Sequence, residues 1–306
     1  MAKRVFVFGC SYTCYSWPTW ANMLELEYGH IENWGLPGLG NRAIAERLAE
    51  CHAKNTFTAD DLVIVQWSGH LRNDWWHQEP VLNRTRGWKT YGSIFNYHND
   101  KLYDKKWIDT FFYEPAFLMH TLNNIVLSQA LLKSTGCQWY MTSMSDIRNM
   151  GSDMRVNTTY GERSPLIDKH KSQGSYTAWE MVPTLTIYDK SIWQDHKDHW
   201  LMPLETFCQS HVELTFDFLD KANVHFVDIH PSVAQHRLWL EQELGSKLGI
   251  KDVTLALAQD LVDGINIVHK KFKYDKSAFE YALARKQGFP QAAIDKMNWP
   301  GSPLGF

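Results

Sequence analysis

Three short apolar runs, spaced by two helix-length amphipathic segments, constrain this chain more than any other feature. "RVFVFG" (4–9), the shorter "HIENWG" (30–35) and "DDLVIVQWSG" (60–69) each end in small or polar residues. Apolar runs without polar alternation belong to strands buried on both faces, and such strands are usually parallel. Between them lie "SWPTWANMLELEYG", with Ser16 as the expected helix cap, Pro18 in the first turn and Gly29 as the stop, and "NRAIAERLAECHAK", with Asn41 as the expected cap. The resulting β-α-β-α-β order predicts a parallel sheet with helices on both faces.

The pattern resumes further along the chain. "EPAFLMHTLNNIVLSQALLKSTG" reads as a long helix, "CQWYMTS" as the next strand, and "ANVHFVDIHPSVAQHRLWLEQELG" as strand, loop and helix. The expectation is an α/β domain over residues 1–245, interrupted by insertions at about 73–112 and 145–204. Residues 246–306 are expected to form a helical appendage that could serve an oligomer contact.

Composition removes several classes of function. With 31 basic against 34 acidic residues and a formal charge of -3, nothing favours a nucleic-acid or anionic-membrane partner. No apolar stretch approaches the roughly 20 residues that span a bilayer, so a soluble protein is expected, and the cysteine usage fits the reducing cytoplasm. Five cysteines, odd in number and without CxxC spacing, argue against a disulfide framework or a zinc knuckle. His196 and His199 in "DHKDHW" have one-turn spacing, but no further ligand set accompanies them; a solvated loop is expected, with no metal and no cofactor.

In an open parallel sheet, ligands bind outside the carboxyl ends of the strands. Four loops fall at such ends: "GCSYT", "GLPGLGN", "WSGHLRND" and "DIHPSVAQH". Ser11 could be a turn residue or a nucleophile. Gly38 could be a turn glycine or a backbone donor to an oxyanion. His230 follows a carboxylate, Asp228, and precedes Pro231, which biases it away from helical geometry. These are the parts of a hydrolase that forms an ester on serine, with His236 as a rival base. The aromatic residues Trp67, Trp75 and Trp76, together with Arg72, are candidates for the substrate mouth.

The quoted loops resemble the SGNH or GDSL-like hydrolases, in the short form "FGCSxT... DxHPS". That resemblance implies a flavodoxin-like three-layer α/β/α fold. It further implies Ser11 as nucleophile, His230 as general base and acid, Asp228 as its orienting carboxylate, and the N–H groups of Ser11 and Gly38 as oxyanion donors. The third block implies a further donor, Asn73, or His70 or Ser68 in its place. The expected activity is hydrolysis of an O-acyl ester, such as an acetyl group, on a carbohydrate or small molecule. The alternatives are an acyltransferase using the same acyl-enzyme, or a non-catalytic module that binds a glycan or joins an assembly.

Overall fold

The computed structural model describes residues 3–76, 88–93, 106, 110–111, 114–148, 188–219 and 225–299. Its centre is a four-stranded parallel sheet in the order β2-β1-β3-β6, formed by β1 (Val5–Phe8), β2 (Glu32–Asn33), β3 (Leu62–Trp67) and β6 (Gln138–Ser143). Val5 pairs with Leu62 and Phe8 with Val65 across β1/β3, while β3 runs beside β6 from Leu62–Gln138 to Trp67–Ser143. Every residue of β1 and β3 is buried, as continuous apolar runs require of central strands.

The connections place helices on both faces. Helix α1 (Trp20–Tyr28) links β1 to β2, and α2 (Asn41–Asn55) crosses back from β2 to β3, so right-handed crossovers put them on opposite sides of the sheet. Helix α3 (Glu114–Thr135) leads into β6 and packs on α2. On the other face α1 packs against α5 (Val233–Trp239) and α6 (Asp252–Phe272). Helix α4 (Leu204–Gln209) lies between the two groups in sequence and touches α5. The result is the expected three-layer α/β/α architecture. Its switch point lies between β1 and β3, whose carboxyl ends open a crevice.

Several local expectations are corrected. Ser16 does not cap α1; it is fully buried and bonds the Glu280 side chain, and the helix starts after Thr19, whose N–H donates to Asn22 Oδ1 at 3.0 Å. Only Thr19 stands between Pro18 and the first helical residue, Trp20, so the proline stiffens the approach instead of occupying the first turn. Asn41 is the first helical residue of α2, and Gly40 holds the cap position. Asp74 supplies the missing cap from another loop, accepting from Gly40 N at 2.8 Å and Ala43 N at 3.0 Å. A Cβ at residue 40 would sit 2.6 Å from Asp74 Oδ2, so only glycine lets the carboxylate in.

The strand before Asp228 does not join the main sheet. β8 (His225–Val227) pairs antiparallel with β7 (Asp217–Leu219). Within the first expected insertion, β4 (Arg72–Trp76) pairs antiparallel with β5 (Trp88–Ser93); residues 77–87 and 94–105 lie outside the described part. The end of the second expected insertion runs along the edge of β6, where Leu201 N donates to Met141 O at 2.9 Å. There His199 stacks on Trp139 and shares a 2.8 Å hydrogen bond with its carbonyl, so it is a packing residue of the sheet edge rather than part of a solvated loop.

The C-terminal helices are built into the core. Ile265 of α6 and Phe279 and Leu283 of α7 (Lys276–Ala284) share one apolar cluster with Trp17 and the central strands. Phe279 packs on Trp17, Phe216 and Phe218, and Leu219 N donates to Lys273 O. Gly264 of α6 approaches Gly288 so closely that a Cβ would stand 2.0 Å from the Gly288 carbonyl oxygen. Helix α8 (Gln291–Lys296) follows and buries Ala293.

Candidate active site

The loop after β1 turns at once. Cys10 O accepts from Thr13 N at 3.0 Å and from Cys14 N at 3.1 Å, which sets Ser11 at the start of a tight turn over the carboxyl end of the strand. Gly9 permits it, because a Cβ there would lie 2.1 Å from Thr13 Oγ1. Thr13 Oγ1 in turn donates to Gln66 Oε1 at 2.6 Å, tying the loop to β3. Ser11 is 4% exposed.

His230 comes to Ser11 from 219 residues away, with Nε2 3.1 Å from Ser11 Oγ. Its Nδ1 is 2.7 Å from Asp228 Oδ1, and its backbone N–H donates to the same oxygen at 2.9 Å. The two-residue spacing of Asp and His thus forms an Asx turn, in which one carboxylate oxygen fixes both the ring and the main chain of His230. Nδ1–H donating to the carboxylate leaves the Nε2 lone pair to receive the Ser11 hydroxyl proton. Asp228 is itself anchored, its N–H donating to Phe216 O at 3.1 Å, and Ser232 begins α5 with a capping box to Gln235.

Two tyrosines brace the imidazole. Tyr15 stacks on it with centroids 3.8 Å apart and planes at 20°, and Tyr12 meets it edge-on at 5.7 Å. The Tyr12 hydroxyl is shared between Ile229 O at 3.1 Å and Glu205 Oε1 at 3.2 Å, and burial pushes its pKa well above 10.0. Trp17 Nε1 donates to Pro231 O at 2.8 Å. Neither tyrosine is marked in the sequence except by position: both fall within four residues of the serine, in "CSYTCY".

The electrostatics suit proton transfer near neutral pH. Burial lowers the His230 pKa below the usual 6.5, Asp228 opposes this, and the charges of Lys276 and Arg72 deepen it, so the ring is neutral at pH 7. Burial alone would raise the Asp228 carboxyl; the hydrogen bond and charge of His230 and the Lys276 ammonium outweigh it and bring the pKa to about 2. Lys276 Nζ stands 2.5 Å from Asp228 Oδ2, a contact the sequence does not announce.

The remaining candidates divide. Gly38 lies in the β2–α2 loop at φ +83°, a conformation that favours glycine. Arg72 donates to Leu39 O, next to Gly38, at 3.2 Å, and its charge bears on both His230 and Tyr12. Trp67 is corrected: it is fully buried at the end of β3, its Nε1 against Met141 Sδ, and offers no face to a ligand. Ser68 is also fully buried, with its backbone clasped by the Asn41 side chain at 2.7 and 3.0 Å. His236 is buried in α5 with its pKa pushed by burial to about 3. The side chains of Asn73, Trp75 and Trp76 lie outside the described part.

A cavity of about 640 Å³ opens beside these loops between α2, α3 and the start of β4. Asn41, His70, Arg72, Phe117, His120 and Thr121 are among its walls, whereas Ser11 and His230 are not. Arg72 joins the cavity to the Ser11–His230 cluster through its charge.

No family model and no curated protein sequence matches the chain. Among solved structures, it is similar to a Bacteroides fragilis protein provisionally described as an acylhydrolase, at 14% identity over 83% of this chain and 88% of that one, with a TM-score of 0.37. A member of the lipolytic G-D-S-L family from Veillonella parvula aligns at 12% identity over 81% and 98% of the two chains, with a TM-score of 0.39. A Bacillus subtilis protein aligns at 10% identity over 82% of this chain and 58% of that one, with a TM-score of 0.37. At such identities and scores the functional reading rests on this chain's own geometry.

Proposed function

We propose that the chain is a serine esterase that removes an O-acyl group, such as acetyl, from an alcohol through an acyl-serine intermediate. The observation that carries this reading is the continuous array Ser11 Oγ, His230 Nε2, His230 Nδ1 and Asp228 Oδ1, with separations of 3.1 and 2.7 Å. A binding module has no use for a neutral imidazole aimed at a buried hydroxyl and backed by an ionised carboxylate.

In the first half-reaction Ser11 Oγ attacks the acyl carbon as its proton passes to His230 Nε2. The imidazolium that forms is stabilised by Asp228, already ionised because its pKa is about 2. The carbonyl oxygen becomes an oxyanion, for which the N–H groups of Ser11 and Gly38 are the assigned donors; each such donor contributes on the order of 3 kcal/mol. Collapse of the adduct breaks the carbon–oxygen bond to the alcohol, which takes the proton from Nε2. Water, deprotonated by the same nitrogen, then releases the acid and restores Ser11. An alcohol in place of water would make the same site an acyltransferase.

The leaving alcohol is assigned to a polar small molecule or carbohydrate, because the adjoining cavity is lined by Asn41, His70, His120 and Thr121 as well as Phe117. The test is hydrolysis of p-nitrophenyl acetate. Ser11→Ala is expected to abolish turnover while leaving the thermal melt in place; unchanged turnover in that variant refutes the assignment.

A further inference from the structure

Lys276 is the first residue of α7, presented by the Asp275 cap, whose side chain accepts from Ala278 N at 2.9 Å. It lies 265 residues from Ser11 in sequence, in a segment with no evident connection to the catalytic loops. Its Nζ nevertheless reaches Asp228 Oδ2 at 2.5 Å, the carboxylate oxygen that His230 does not use. Asp228 is 6% exposed, and the Lys276 side chain is only partly exposed. The ammonium also sits 3.4 Å from the Tyr15 hydroxyl and 5.8 Å from the ring centroids of Tyr15 and Trp17. Tyr15 is the ring on which His230 stacks.

Each oxygen of Asp228 thus has its own cationic or imidazole partner, and the ring that braces His230 is touched by the same lysine. Behind Lys276 stands Glu280, 3.6 Å away and one turn along α7, which bonds Ser16 of the loop that carries Ser11. The cluster closes on itself: Ser16, Glu280, Lys276, Asp228, His230, Ser11.

We propose that Lys276 is a positioning residue of the hydrolytic site: its ammonium clamps Asp228 Oδ2, so that Oδ1 stays aligned on His230, and thereby makes a C-terminal helix a contributor to catalysis. The inference rests on the esterase reading for its effect on turnover, but not for its effect on His230. Aligning a carboxylate through its far oxygen fixes the tautomer and orientation of the imidazole, as outer partners do for metal-bound histidines.

The charges around His230 give the direction of the pH effect. Asp228 favours the imidazolium; Lys276, Arg72 and the neighbouring His236 disfavour it when charged, and Tyr12, Tyr15 and Ser11 complete the contacts of the ring. Glu280 is the only carboxylate paired with Lys276 besides Asp228 among the described residues. Removing the ammonium takes away a repulsion and frees the full charge of Asp228 to act on the ring. Both changes raise the His230 pKa through charge; the loss of alignment on Nδ1 works against them and is read in kcat.

The experiment compares wild type with Lys276→Met, Lys276→Gln and Lys276→Arg, after thermal melts establish which are folded. His230 is titrated by NMR of its imidazole nitrogens, and kcat and KM for p-nitrophenyl acetate are followed against pH. The neutral variants are expected to titrate His230 about half a pH unit or more higher. Their kcat should fall roughly tenfold or more while KM changes less than about threefold, and the acid limb of kcat should move to higher pH with the ring. Lys276→Arg, which retains the charge, should restore the wild-type midpoint. An unchanged His230 midpoint in a folded neutral variant overturns the proposal, even if Ser11→Ala is inactive. If wild-type protein shows no ester hydrolysis, the esterase reading fails while the NMR titration still decides the coupling.

Discussion

Asp228→Asn isolates the charge of the carboxylate while keeping its shape. In the folded chain the group titrates at about 2 instead of 3.8, because His230 and Lys276 hold its ionised form. At roughly 1.4 kcal/mol per pH unit, the ionised side chain contributes on the order of 2 kcal/mol to stability at neutral pH. Little of this is lost to solvent screening, since Asp228 is 6% exposed. The folded pKa is depressed, so the contribution is complete above 3.8 and disappears as pH falls through 2. Urea unfolding should therefore show wild type more stable than Asp228→Asn by about 2 kcal/mol from pH 5 upward, with the gap narrowing below pH 4.

The same substitution has a separate effect on rate. An amide NH₂ facing Nδ1 would favour the tautomer that carries its proton on Nε2, where it cannot receive the Ser11 proton. It also leaves the imidazolium without a counter-charge. By analogy with other serine triads, kcat for p-nitrophenyl acetate should fall about 10³–10⁴-fold. A variant that keeps kcat within about tenfold, or that matches wild-type stability at pH 7, would refute the role given to the carboxylate.

Asp74→Ala is expected to destabilise the protein by about 1–2 kcal/mol in the same unfolding assay, because it removes the acceptor for Gly40 N and Ala43 N and the negative charge at the start of α2. A cost under about 0.3 kcal/mol would show that the cap is satisfied otherwise. His236→Gln should leave the acid limb of kcat/KM where it is in wild type, since His230, not His236, is bonded to Ser11; a collapse of activity in the folded variant would transfer the role of base to His236.

The parts of the fold legible in the sequence were those governed by local physics. β1 and β3 are apolar at every position but one, Gln66, and bounded by Asp61 and Gly9, so their burial and parallel pairing follow from composition alone. Ser11, Asp228 and His230 were legible because each stands in a short loop after a strand. The pairing of β8 was not, because three residues of mixed polarity carry no signal for which sheet they join. Trp67 was misplaced for a related reason: a tryptophan at a strand end reads the same whether it closes the core or opens the mouth. Lys276 was illegible because a lysine at a helix start is ordinary, and only the packing of Phe279 against Trp17 and Phe216 brings it over Asp228.

Ser11 as nucleophile is tested most directly by reacting the folded protein with a fluorophosphonate and locating the adduct by peptide mass spectrometry. One phosphonyl group on the peptide containing Ser11, absent from Ser11→Ala, is the expected result. A protein that stays unmodified under conditions that label a known serine hydrolase, or that is modified elsewhere, would contradict the account.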